Sequence, residues 1–158
     1  LQTDAPITSG SSGGALVNSS GELIGITTAV GVSEVGVEGI GFATPAEIVT
    51  RVADEIIATG AASTPYLGIW PQPALDDTAD GGSVPRGIEI TEVDPGTAAA
   101  AAGFEDGDVI AAINGTEIRS FNDLVAALRR YGAGAIIDVT LEDGEVVEVT
   151  LGERPDGL

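Results

Sequence analysis

Apolar and polar positions alternate, or recur in short blocks, along most of the chain, and the pattern predicts a mainly β protein with a few helices. "ALVNSSGELIGITTAV" (15–30) sets two apolar stretches around "NSSGE", with Asn18 and Gly21 as turn residues, and predicts a β-hairpin. "GVSEVGVEG" (31–39) predicts a Gly-rich loop and "IGFAT" (40–44) a short strand running into a helix. Ile48, Val49, Val52, Ala53, Ile56 and Ile57 recur at helical spacing. Thr44 is the expected N-cap, Pro45 the first helical residue, Glu47 the partner in a capping box and Gly60 the residue past the end. "GAASTP" (60–65), small and polar and ending in Pro, is the best domain boundary in the chain.

Beyond it the pattern starts afresh. "YLGIWP" (66–71) predicts a short strand, "ALDDTADGGSVPRG" (74–87) an acidic loop, and "GIEITEV" (87–93) an alternating strand. "DPGTAAAAAGF" predicts a turn and a short helix closed by Gly103, since Ala has the best helix propensity. "EDGDVIAAINGTEI" predicts a strand with a tight turn at Asn114-Gly115. "SFNDLVAALRRYG" (120–132) predicts a helix between Ser120 as N-cap and Gly132 past its end, and "AIIDVTLEDGEVVEVTLGE" a hairpin around Asp143-Gly144. Roughly 90 residues in this order suffice for a domain that folds alone. The expected organisation is a first domain over 1–60, a linker over 61–65 and a second domain over 66–158.

Composition narrows the function. The chain has 158 residues, 43% of them apolar, and a mean hydropathy of +0.27, which predicts a packed core rather than disorder. No apolar run approaches a membrane span, and no N-terminal stretch pairs basic residues with an apolar core. The absence of Met predicts a processed product or a piece of a longer protein. The absence of Cys excludes disulfides and thiolate metal sites. The absence of His removes the commonest general base and metal ligand, so no mechanism that needs imidazole can be completed within these residues. Nothing calls for a cofactor. The net charge is -19: seven acids and one arginine give -6 in residues 1–64, and eighteen and five give -13 in 65–158. Such a surface repels phosphate backbones and anionic lipid, which argues against a nucleic-acid partner.

"SGSSGGALVN" (9–18) admits two readings, a flexible Gly/Ser linker or a rigid turn that does chemistry. It sits between "ITS" and the strand-like "ALVN", where a linker has no place. A nucleophilic serine needs a sharp turn that presents its hydroxyl and aims backbone N–H groups at a developing oxyanion, and flanking glycines permit that backbone. A phosphate-binding loop is excluded because no Gly-Lys-Ser/Thr follows. A G-x-S-x-G elbow leads into a helix, and here a strand follows instead.

"LQTDAPITSGSSGGALVNSSGELIGITTAV" resembles the segment around the catalytic serine of HtrA/DegP-type, trypsin-like serine proteases, and "GIGFATP" resembles the strand that follows it there. Residues 66–153, from "YLGI" through "GIEITEVDPGTAAAAAGFEDGDVIAAINGTEI" to the last hairpin, resemble the PDZ domain of the same proteins. The resemblance implies the C-terminal portion of a trypsin-like β-barrel followed by a PDZ domain, a small barrel or sandwich capped by two helices. It implies Ser12 as nucleophile and an oxyanion hole from Gly10 and Ser12 with the turn through Ser11, where the family usually has Asn. Ile7 and the strand carrying Ile26, Thr27 and Thr28 would wall the specificity pocket. Tyr66, Leu67, Gly68 and Ile69 would form the carboxylate-binding loop, with Phe121, Val125 and Leu128 lining a peptide groove. Arg129 and Arg130 are expected as a solvated helix end. The family further implies an endopeptidase acting on unfolded polypeptides, peptide C-termini as ligands, a trimer-based homo-oligomer and an extracytoplasmic bacterial location. Its His and Asp precede the serine, so this chain alone is expected to be inactive. A peptide-binding module with a dead protease remnant is the alternative.

Overall fold

The computed structural model describes residues 1–8, 10–30 and 40–155. It separates into two compact units, Leu1–Ala62 and Ser63–Leu158. The expected loop at 31–39 lies outside the described residues.

The first unit holds β1 (Gln2–Thr3), β2 (Ala15–Val17), β3 (Leu23–Val30), β4 (Gly41–Pro45) and α1 (Ala46–Thr59). Its antiparallel sheet runs β1-β4-β3-β2, and α1 lies against β3 and β4. The β2–β3 turn forms because the Asn18 side-chain oxygen accepts from the N–H groups of Ser20 (2.9 Å) and Glu22 (3.0 Å), as an Asx turn does. The expected capping box is absent. Thr44 stays in β4 opposite Ile26, held by the ladder, and Pro45 takes the N-cap place with no side-chain cap. Glu47 still occupies the first turn, where its charge favours the helix dipole. Gly60 closes α1 at φ 87°, its N–H bonded to the Ile56 carbonyl at 2.8 Å. Among the described residues this unit buries only Gly25, Thr27, Gly41 and Ala43.

The second unit holds β5 (Pro65–Tyr66), β6 (Ile69–Asp77), β7 (Ser83–Val93), α2 (Ala98–Ala102), β8 (Val109–Ile113), β9 (Thr116–Glu117), α3 (Phe121–Leu128), β10 (Ile136–Leu141), β11 (Val146–Thr150) and β12 (Gly152–Glu153). The main sheet runs β11-β10-β8-β7-β6 with β9 beside β8, while β5 pairs with β12. Ile88, Ile90, Ile110, Ile113, Ile137 and Val139 from the strands pack with Ala99 and Phe104 near α2 and with Leu124 and Ala127 of α3. The fold is mainly β with few helices, and no closed barrel forms among the described residues.

Two expectations fail here. The acidic loop over 74–87 is a hairpin: β6 and β7 pair from Ile69↔Val93 to Asp77↔Ser83. Its acids sit on an exposed surface that strands tolerate, and Arg86 joins Asp76 (3.4 Å) and Glu142 across the sheet. The last helix stops at Leu128 rather than reaching 131, because the N–H groups of Arg130 and Tyr131 turn to Ala127 and Leu128 in tight i→i−3 bonds (3.3 and 3.0 Å). The left-handed glycine after it is Gly134 (φ 81°), not Gly132.

Candidate functional site

Two tight turns shape the stretch around Ser12. The Ser11 N–H bonds to the Thr8 carbonyl (3.0 Å), with Gly10 at φ 96° inside the loop. The Gly14 N–H then bonds to the Ser11 carbonyl (2.9 Å), with Ser12 and Gly13 at the two corners and Gly13 at φ 85°. A positive φ at the second corner needs Gly, as in a type II turn. β3 clamps this arrangement: Gly13 N–H donates to the Thr27 carbonyl (2.8 Å) and Thr27 N–H to the Gly14 carbonyl (2.9 Å). The hydroxyl of Thr27, a residue only 6% exposed, also donates to the Ser11 carbonyl. Ser12 is left exposed at the tip, its hydroxyl 3.4 Å from the Thr28 carbonyl to which it donates.

The N–H groups of Gly10 and Ser12 donate to no backbone carbonyl outside the ladders among the described residues. Ser11 differs: its N–H is taken by the Thr8 carbonyl, and its hydroxyl accepts from the Thr8 N–H (3.2 Å), so it shapes the turn and its N–H is committed. Beside the turn lies a cavity of about 350 Å³ lined by Pro6, Ile7, Gly10, Ser11 and Thr27, among others. Ile7 packs so closely on Gly41 that a Cβ there would overlap it. Of the expected pocket walls, Ile7 and Thr27 line this cavity, whereas Ile26 and Thr28 do not. Strand side chains alternate between faces, and the β3–β4 register shifts between Thr27 and Ala29, so the neighbours of Thr27 are aimed elsewhere.

In the second unit, Tyr66, Leu67, Gly68, Ile69, Phe121, Val125 and Leu128 surround one groove of about 330 Å³ between the start of β6 and α3. The loop carbonyls are occupied: Leu67 O accepts from Ala99 N–H (2.8 Å) and Gly68 O from Asp94 N–H (3.0 Å). The Leu67 and Gly68 N–H groups donate to no backbone carbonyl outside the ladders among the described residues. Gly68 is required twice, by its φ of 85° and because a Cβ would land on the Thr97 side chain.

Sequence reasoning missed several residues here. Asp94, read only as part of a turn, accepts from the Tyr66 hydroxyl (2.7 Å) and the Trp70 indole N–H (3.0 Å) and ties the loop down. Its carboxylate raises the Tyr66 pKa above the usual phenol value, chiefly by accepting that hydrogen bond. Arg129 and Arg154 line the groove, Arg129 from the helix end expected to be merely solvated. Leu124 belongs to the core and also forms part of the groove lining. No spacing rule flags Arg154, which reaches the groove because its N–H pairs with the Thr64 carbonyl (2.9 Å) next to β5.

Residues 1–53 match the trypsin family and residues 89–142 the PDZ domain. Serine protease PepD of Mycobacterium tuberculosis is 38% identical over 97% of this chain and 34% of its own length. The periplasmic serine endoprotease DegP of Escherichia coli is 40% identical over 96% of this chain and 32% of its own. The chain thus spans about a third of the length of these curated relatives. Among solved structures, the HtrA-type protease AlgW with a tripeptide superposes with a TM-score of 0.62 at 33% identity, covering 99% of this chain and 54% of that one. The serine endoprotease from Yersinia pestis gives 0.53 at 35%, covering 98% and 52%.

Proposed function

The chain corresponds to the C-terminal region of an HtrA-type, trypsin-like serine protease, the end of its protease domain followed by its PDZ domain; from that premise we propose that Ser12 is the nucleophile of a serine endopeptidase. The carrying observation is the exposed Ser12 hydroxyl on a doubly turned, β3-clamped loop with the Gly10 and Ser12 N–H groups uncommitted to other backbone among the described residues. In this reading the Ser12 hydroxyl attacks the scissile carbonyl and yields its proton to a general base. The negative charge that develops on the carbonyl oxygen rests on the N–H groups of Gly10 and Ser12. These residues contain no His, and the Ser12 hydroxyl proton points to a carbonyl, which is no base. The base and its orienting carboxylate therefore come from outside these 158 residues. Loss of a triad member lowers turnover by roughly 10⁴ to 10⁶, so this chain alone is inactive.

The groove of the second unit takes the C-terminus of a peptide: the carboxylate on the loop N–H groups of Leu67, Gly68 and Ile69, the last side chain among Phe121, Val125 and Leu128. Unfolded polypeptides are the substrates, protein quality control the role, an extracytoplasmic compartment of a bacterium the place, and a trimer-based homo-oligomer the assembly. The names of the relatives, a serine protease and two periplasmic serine proteases, support the protease and the compartment in this reading. A fluorophosphonate probe tests it. The whole protein should label at Ser12, a Ser12→Ala variant should not, and this chain alone should label at least a thousandfold more slowly. Brisk labelling of this chain would overturn the missing-base argument. The groove of the second unit, which needs nothing from the serine turn, carries a second reading, a peptide-binding module with a dead protease remnant. An unlabelled whole protein that still binds peptides would establish it.

A further inference from the structure

We propose that the groove of the second unit reads only the extreme C-terminus of its peptide, because Pro71 and Pro73 stop the β6 edge from pairing with the residues before it. This rests on the peptide-binding reading above and narrows it. β6 is the last strand of its sheet, so one side is covered by β7 and the other is open toward the groove. The register shows which backbone groups face which way. Pro71 lies opposite Ile90, and Ile90 turns its N–H to the Asp108 carbonyl and its carbonyl to the Gly107 N–H, both 2.8 Å and both on the β8 side. Pro71 and Ile90 are therefore a pair without mutual hydrogen bonds, and the Pro71 backbone faces the open side. Conversely, the carbonyls of Gly68 and Trp70 face β7, where they accept from the Asp94 N–H (3.0 Å) and the Thr91 hydroxyl (3.0 Å). Ile69, Pro71 and Pro73 thus form the row that an added strand would meet.

Of that row, only Ile69 has an N–H. In a peptide whose carboxylate takes that N–H, the backbone before it finds the Ile69 carbonyl as an acceptor, then at Pro71 and Pro73 a carbonyl but no donor. Each peptide carbonyl arriving there meets a pyrrolidine ring and loses its partner. Prolines at alternate positions leave the ladder to β7 intact and blunt the other side, as edge strands commonly require. The carboxylate end keeps its attraction: Arg129 and Arg154, two of the chain's six basic residues, line the same groove. Recognition is accordingly concentrated on the carboxylate, the last side chain and one backbone bond to the Ile69 carbonyl, after which the peptide leaves the sheet.

A length series on the 158-residue chain tests this. Free-acid peptides of three, six and ten residues sharing the same last three residues should bind within about twofold of one another, and amidation should weaken each at least tenfold. In a Pro71→Ala/Pro73→Ala variant the restored N–H groups should raise the ratio of ten-residue to three-residue affinity about fivefold or more. Carboxylate-dependent binding that tightens tenfold with length in the unaltered protein would overturn the inference. So would an unchanged ratio in a folded variant. Binding indifferent to amidation, or no binding at all, would instead overturn the C-terminal peptide reading on which it rests.

Discussion

At Thr27 one buried hydroxyl serves a carbonyl of the serine turn from the neighbouring strand, donating to Ser11 and lying 3.2 Å from the Gly14 carbonyl. Thr27→Val keeps the shape and removes the donor, which should cost the turn about 1–2 kcal/mol. Amide exchange at Gly13, Gly14 and Thr27 should then speed up by roughly 5- to 30-fold. At Gly68 the backbone conformation is the constraint. An alanine there carries a left-handed penalty of about 1–2 kcal/mol and collides with Thr97. Gly68→Ala should therefore weaken binding of a free-acid peptide more than tenfold in a titration, while far-ultraviolet circular dichroism stays close to that of the unaltered protein. The glycines around Ser12 and in "YLGI" mark such places in the sequence because few other residues tolerate them. The Thr27 hydroxyl is not legible this way, since an inward threonine on a strand reads as ordinary core.

At the scale of elements, α3 shows how local signals fix one end of a helix and not the other. Ser120 caps it by accepting from the Asp123 N–H (3.2 Å), and the Asp123 carboxylate accepts back from the Ser120 hydroxyl (2.8 Å) and the Arg119 N–H (3.2 Å). Ser120→Ala should destabilise the second unit by about 1 kcal/mol in urea unfolding. Those bonds, the Ser120 hydroxyl first, hold the Asp123 pKa below the ordinary carboxylate value. A lowered folded pKa gives stability that is fully present above the unfolded value of about 3.9 and is lost as pH falls through the folded one. The gap in urea midpoint between the unaltered protein and Asp123→Asn should therefore be open at pH 6 and shrink toward pH 2.5. Past the other end of α3, the Tyr131 hydroxyl accepts from the Asn114 side-chain amide (2.7 Å) in a distant turn, and no local pattern encodes that. The β6–β7 hairpin was hidden for a related reason. Its acids and glycines read as loop, whereas β6 and β7 pair with each other out to Asp77↔Ser83 and the arginine at 86 joins Asp76 and Glu142.

Across the whole molecule, burial is uneven. The second unit has a continuous aliphatic core from Leu67 to Leu151, whereas the first leaves Val17, Leu23, Ile24, Phe42 and Ile57 exposed among its described residues. Slow amide exchange should accordingly concentrate in β7, β8 and β10, and β2 and β3 should exchange at least tenfold faster in the same sample. Equal protection in both units would contradict this uneven burial.

What the sequence determined by itself was local: the apolar alternation, the turn glycines, the Ser120 cap, and the ordered motifs that pointed to a protease segment followed by a PDZ domain. Each depends on residues a few positions apart, where backbone sterics and side-chain period leave few alternatives. The tertiary structure decided what depends on partners far along the chain: that Thr27 clamps "SGSSGGALVN", that Arg154 joins a groove opened at Tyr66, and that Pro71 and Pro73 face its open side. Register sets which atoms an edge presents, and register comes from packing across the sheet.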